Sequence, residues 1–119
     1  MSISNRKVVI VGAGHVGSHV GYALISQSLA DEIVYIDPDH AKAVAQAFDL
    51  TDATNYLPVR TKVTAGDYSD AKDAQIMIIA AGPLPTGNQT RMDTLGQTIA
   101  ILKDVTKSIK ESGFDGIIV

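Results

Sequence analysis

The chain has 119 residues, 45% hydrophobic and 19% charged, with a formal net charge of −3. That is one domain's worth of polypeptide with ordinary apolar content, which excludes two full domains and argues against disorder. The small negative charge offers nucleic acid no electrostatic footing, and the lack of cysteine excludes a disulfide scaffold or thiolate metal site and fits a reducing cytoplasm.

Residues 7–11 (KVVIV) form a short β-branched run, the pattern of a strand buried on both faces. Arg6 and Lys7 before it superficially suggest a secretory leader, but Gly12, Gly14 and His15 break the run at once. The longest apolar stretches, 8–13 and 76–81, fall far short of the roughly 18–20 residues of a membrane span. Residues 16–28 predict a helix, with Val16, Val20, Ala23 and Leu24 on one stripe. Residues 32–37 (EIVYID) read as a second strand, stopped by Pro38. A second helix is expected over 40–55, with Val44, Ala47 and Phe48 sharing a face. Residues 61–65 and 75–81 follow as strands, and residues 82–90 (GPLPTGNQT) as a loop. The longest helix is expected over 93–112, with Leu95, Ile99, Leu102, Val105 and Ile109 on one face and Gly113 as its C-cap. Residues 116–119 (GIIV) begin a fifth strand.

This alternation implies parallel strands joined by right-handed crossovers: an α/β, doubly wound parallel sheet of order 3-2-1-4-5. The sequence stops within an apolar run. The expectation is a fifth strand cut short and an incomplete domain over residues 1–119, the first part of a longer protein.

Gly12, Gly14 and Gly17 match G-x-G-x-x-G. Alone the match is weak, but a strand precedes it, a helix follows, and Asp37 ends the next strand 20 residues beyond Gly17. In this Rossmann pattern the first glycine permits the turn, the second lets backbone approach a pyrophosphate, and the third lets helix pack against strand. The helix N-terminus supplies free N–H groups and partial positive charge. Asp37 would accept hydrogen bonds from the adenine ribose and repel a 2′-phosphate, favouring NAD over NADP. An FAD or nucleotide-sugar site shares these features. A short-chain dehydrogenase would need a Tyr-x-x-x-Lys pair; Tyr68 and Lys72 have that spacing, but too early in the chain, and read as surface.

GAGHVGSHVGYAL (12–24), EIVYID (32–37), AFDLTDA (47–53), AGDYSDAKDAQIMIIAAG (65–82) and GNQTRMDTL (87–95) together resemble the L-lactate/malate dehydrogenase family, closest to its L-lactate and L-2-hydroxyacid members. Asp52 stands where the family's DL-x-H-A segment has His. The resemblance implies an NAD-dependent oxidoreductase interconverting a small 2-hydroxy acid and its 2-oxo acid, cytoplasmic and a dimer or tetramer when full length. It makes Arg91 the catalytic cation beside the substrate carbonyl, after a loop suited to closing over substrate. It sets Ala81 and Gly82 along the cofactor's path, with His15 and Val16 in the phosphate loop. Val16 is expected beneath the nicotinamide side or in the core, and Ile99 in the core. Pro85 and Thr86 fall in the substrate-specificity loop. Lactate enzymes carry glutamine and malate enzymes arginine where this chain has Pro85, so recognition of a second carboxylate is not expected. The same loop has Gly87, Asn88 and Gln89 where the family has Pro, Gly and Glu.

The resemblance assigns the proton-exchanging histidine, its aspartate partner and the carboxylate-clamping arginine to positions beyond residue 119. His15, His19 and His40 read as surface or capping groups, and no metal site is expected. The chain alone is therefore expected to bind NAD without turnover. The alternative is a non-catalytic module sensing the NADH/NAD ratio, which would have no need of Arg91 and its loop.

Overall fold

A computed structural model describes residues 5–119. Five parallel strands, β1 (Lys7–Val11), β2 (Glu32–Ile36), β3 (Lys62–Ala65), β4 (Ile76–Ile79) and β5 (Ile117–Ile118), form one sheet in the order β3-β2-β1-β4-β5. Three helices connect them: α1 (His15–Ser26), α2 (His40–Thr54) and α3 (Leu95–Ser112). The sheet order and the doubly wound architecture are those expected from the sequence.

Every residue of β1 is buried, because alternate side chains feed two different cores. Val8 and Ile10 join Ile33, Tyr35 and Val63 beneath Ile25 of α1 and Ala43, Ala47 and Leu50 of α2. Val9 and Val11 join Val34, Ile36 and Met77 on the opposite face, beneath Val105 and Ile109 of α3. Two-sided burial is why these strands read as unbroken apolar runs.

The helices differ more from expectation. The buried face of α1 is Gly17, Gly21 and Ile25, not the Val16–Val20–Ala23–Leu24 stripe. Val20 and Leu24 pack at the margin, while Val16 is 65% exposed and so lies outside the core. Glycines bring α1 down onto the sheet, and the larger side chains are displaced to its flank. The helix closes at Ser26, two residues early, because Ser28 takes a left-handed conformation and the Leu29 N–H bonds the Leu24 carbonyl. On α2, Ala47 is buried but Phe48 is 68% exposed. On α3, Val105 and Ile109 are buried, whereas Leu95, Ile99 and Leu102 face outward. Ile99 is thus not a core residue. A 3-10 turn over Met92–Thr94 precedes α3, and Gly113 caps it in the left-handed region as expected. A second 3-10 turn, Tyr68–Ala71, was not legible; Asp67 and Asp70 close it with a reciprocal capping box.

The register pairs Val11 with both Ile36 and Ile79, so the three central strands end level. Beyond that line the Gly12 N–H bonds the Ile36 carbonyl and the Ala80 N–H bonds the Val11 carbonyl, each at 2.8 Å. The segments after β1, β2 and β4 therefore gather at one edge, where connections leave toward opposite faces. Ligands of open α/β sheets bind at such a switch point. Among the described residues no helix is long and apolar enough to cross a membrane.

Candidate functional site

The segment 12–17 is shaped by close backbone approach. Gly12 has φ +104°, and a Cβ there would meet the Ala80 carbonyl oxygen at 2.7 Å, so β4 can lie against the turn only if this residue is glycine. A Cβ at Gly17 would sit 1.8 Å from the Gly12 carbonyl oxygen. Gly14 is different: a Cβ there would find only the Lys42 Nζ, at 3.9 Å. Its space is open, the condition for a ligand to reach backbone. Gly14 is also the N-cap of α1, without a side-chain cap or an acidic residue in the first turn. The first amides of α1 thus remain free for an anion.

Asp37 lies past the end of β2 and holds this loop. Its Oδ2 accepts from the Ala13 N–H at 2.8 Å and its Oδ1 from the Asp39 N–H at 2.9 Å. One lone-pair direction per oxygen remains for a ligand. Behind it the fully buried Tyr35 donates its hydroxyl to the Gly17 carbonyl at 2.9 Å. Burial pushes the Tyr35 phenol up to about 12.

Two clefts adjoin across the loop. The first, about 590 Å³, is lined by Gly12, Gly14, Asp37, Ala81 and Gly82, together with His40, Lys42, Gly66, Asp67 and Tyr68. Burial also raises the Tyr68 phenol. The second, about 410 Å³, is lined by Gly14, His15, Val16, Lys42, Gln46, Leu84 and Arg91. Gly14, Lys42 and residues 80–83 line both. Gly17 lies behind the loop and lines neither. Pro85 and Thr86 also lie outside both linings; Gln89 Oε1 accepts from the Thr86 N–H and hydroxyl at 3.1 and 3.2 Å.

Arg91 stands immediately before the Met92–Thr94 turn. The Thr90 N–H and hydroxyl donate to Asp93 Oδ2, which holds the Asp93 carboxyl below its usual range. The Thr94 hydroxyl donates to the Arg91 carbonyl at 2.9 Å. The backbone on either side of the guanidinium is thereby fixed while the side chain stays exposed. Among the described residues no three His, Asp or Glu gather to hold a metal.

Sequence reasoning missed Lys42, whose ammonium overhangs the glycine loop from the first turn of α2. Its only local signal is its place five residues after Asp37. The hydroxyl of Tyr35 was also missed, because the residue reads simply as part of an apolar strand.

An open glycine at an uncapped helix N-terminus, a carboxylate beside it and an overhanging lysine fit a dinucleotide phosphate and its ribose. The lactate/malate dehydrogenase NAD-binding domain model matches residues 6–119. The chain belongs to that family. It is 45% identical over 117 residues to L-lactate dehydrogenase 3 of Bacillus cereus, covering 98% of this chain and 37% of the relative. The ligand-bound minor L-lactate dehydrogenase of Enterococcus mundtii superposes with a TM-score of 0.92 at 39% identity, over 98% of this chain and 37% of that one. The Cryptosporidium parvum lactate dehydrogenase, complexed with lactic acid and β-nicotinamide adenine dinucleotide, gives 0.86 at 25% identity over 99% of this chain and 38% of that one. The chain therefore spans little more than a third of the relatives it matches, and the part it spans is a Rossmann-like NAD-binding domain.

Proposed function

We propose that this chain is the cofactor half of an L-lactate dehydrogenase-like enzyme acting on lactate or a near homologue. The observation that carries the reading is the meeting of the Gly14 backbone, the Lys42 ammonium and Arg91 around one second cleft that continues into the Asp37 cleft. Asp37 would take the adenine ribose, and Lys42 with the α1 amides would balance the pyrophosphate charge. Bound NAD supplies the hydride acceptor or donor. Arg91 would stabilise charge developing on the substrate oxygen, and its loop would exclude water.

Pro85 offers no donor to a second carboxylate, which favours a small or apolar side chain on the 2-oxo acid. His15 shares the second cleft with Arg91 and His40 lines the first; in this reading both serve the phosphate side, and neither takes the base's role. In this reading the 119 residues do not turn over alone. The whole enzyme, a cytoplasmic homo-oligomer in carbohydrate fermentation, would need a further substrate-binding part.

The test is a calorimetric titration of this chain with NADH and with NADPH, repeated with Asp37→Ala. The expected result is tighter binding of NADH, with the preference shrinking by about tenfold or more in the variant as the 2′-phosphate repulsion is lost. Equal binding of the two cofactors by the parent chain would refute the assignment of Asp37. Pyruvate-dependent loss of NADH absorbance with the pure chain would refute the claim that it is inactive alone.

A further inference from the structure

We propose that the Tyr35 hydroxyl, which lines neither cleft, is a positioning group for the phosphate loop. The proposal rests on the dinucleotide reading above. Tyr35 sits within β2, in the core beneath α1 and α2, and Asp37 lies just past the end of that strand, beside the loop. The two grip opposite ends of one short segment: Asp37 takes the Ala13 N–H, and Tyr35 donates to the Gly17 carbonyl. Between those bonds lie Gly14, His15 and Val16, whose backbone bounds the second cleft.

The Gly17 carbonyl has no need of this donor, since a carbonyl in a helix's first turn already serves the amide four residues on. A phenylalanine would fill the same space. The close seat of α1 that lets the oxygen reach the carbonyl comes at a cost to the helix, because Gly21 must leave space for the Tyr35 ring and Leu50 as well as for the hydroxyl. A Cβ at Gly21 would fall 1.9 Å from the Tyr35 hydroxyl, and glycine is a poor mid-helix residue. Gly17 and Gly21, one turn apart, let α1 settle until carbonyl and hydroxyl meet. The hydroxyl then fixes the height and rotation of the helix end whose free amides face the anion. Because the carbonyl stays bonded within the helix, Tyr35→Phe removes the clip without leaving an orphaned buried acceptor.

The experiment compares the parent chain with Tyr35→Phe, using three probes. NADH and ADP carry a pyrophosphate; adenosine reaches Asp37 but not the loop. The expected result is a loss of about three- to tenfold in affinity for NADH and ADP, the worth of one hydrogen bond, with adenosine unchanged within about twofold. A general weakening of the fold would move all three alike. In parallel, amide hydrogen exchange over residues 13–18 should speed up by a similar factor while β1 and β4 keep their protection. An equal change, or none, across the three probes overturns the proposal, as does unchanged exchange in the loop. If the parent chain binds none of the probes, the dinucleotide reading fails, and the exchange comparison still decides whether Tyr35 holds the loop.

Discussion

A Cβ added at Gly17 would sit 1.8 Å from a backbone oxygen, whereas one added at Gly14 would meet nothing nearer than the Lys42 ammonium at 3.9 Å. The two glycines therefore have different surroundings: packing demands Gly17, whereas the space at Gly14 is open to the proposed ligand. Gly17→Ala forces α1 away from the turn after β1 and should cost about 3 kcal/mol, the scale of an overpacked site. Gly14→Ala should cost only about 1 kcal/mol, the penalty of alanine at an N-cap, yet bind NADH at least about tenfold more weakly because a methyl then occupies the phosphate approach. Thermal melts beside calorimetric titrations check both; a Gly14→Ala chain with undiminished affinity would remove Gly14 from the site. Lys42 is tested by charge. If its ammonium faces the pyrophosphate, Lys42→Gln should weaken NADH binding and flatten its dependence on salt, because a screened ion pair has been lost. A salt dependence identical to the parent's would show that Lys42 faces solvent.

Between elements, the ends of the central strands are tied by charge as well as by the ladder. Arg6, just before β1, places Nε and Nη2 on the two oxygens of Asp31, just before β2, at 3.0 and 2.8 Å, and Nη1 on the Ser28 carbonyl at 2.9 Å. The Arg6 hydrogen bonds hold the Asp31 carboxyl down at about 2, against an ordinary 3.8. A depressed carboxylate contributes stability above its unfolded value and loses it as pH falls through the folded one. Asp31→Asn should therefore melt below the parent at neutral pH, and the two melting curves should converge as pH drops from about 4 to about 2. A gap that persists at lower pH would mean that the tie is not ionic. The strands around this clasp were legible because burial on both faces leaves the runs after Lys7 and Glu32 apolar. The helix faces were not. Apolar periodicity pointed to Val16 and Val20 as the contact stripe of α1, but contact there requires the absence of side chains, so Gly17 and Gly21 form it. The motif glycines and Asp37 were readable because their spacing is local. The approach of Lys42 to Gly14, and of the Tyr35 hydroxyl to Gly17, depends on how α1 and α2 sit on the sheet, which no local pattern records.

At the scale of the molecule, the sheet is covered on one face by α1 and α2 and on the other by α3 and the turn beside it, but this second cover is partial. Val105 and Ile109 seal the C-terminal half of α3 against the sheet. At its other end Leu95, Ile99 and Leu102, spaced to form one outward stripe, are 47%, 45% and 38% exposed. Beside β4, β5 pairs on one side only, and Ile117, Ile118 and Val119 are all exposed. An apolar stripe and an open apolar strand edge on one chain are what solvent tolerates least. The periodicity of α3 was thus read correctly as an apolar face, but periodicity cannot tell a face covered within these 119 residues from one left open. The chain should self-associate as concentration rises, measured by sedimentation velocity. Ile99→Lys with Leu102→Lys should reduce that association without lowering the melting temperature, because neither side chain is part of a sealed core. Association unchanged by the double substitution, in a chain that still melts like the parent, would move the sticky surface from α3 to the β5 edge. A parent that stays monomeric at every concentration would show that exposure on this scale is tolerated here.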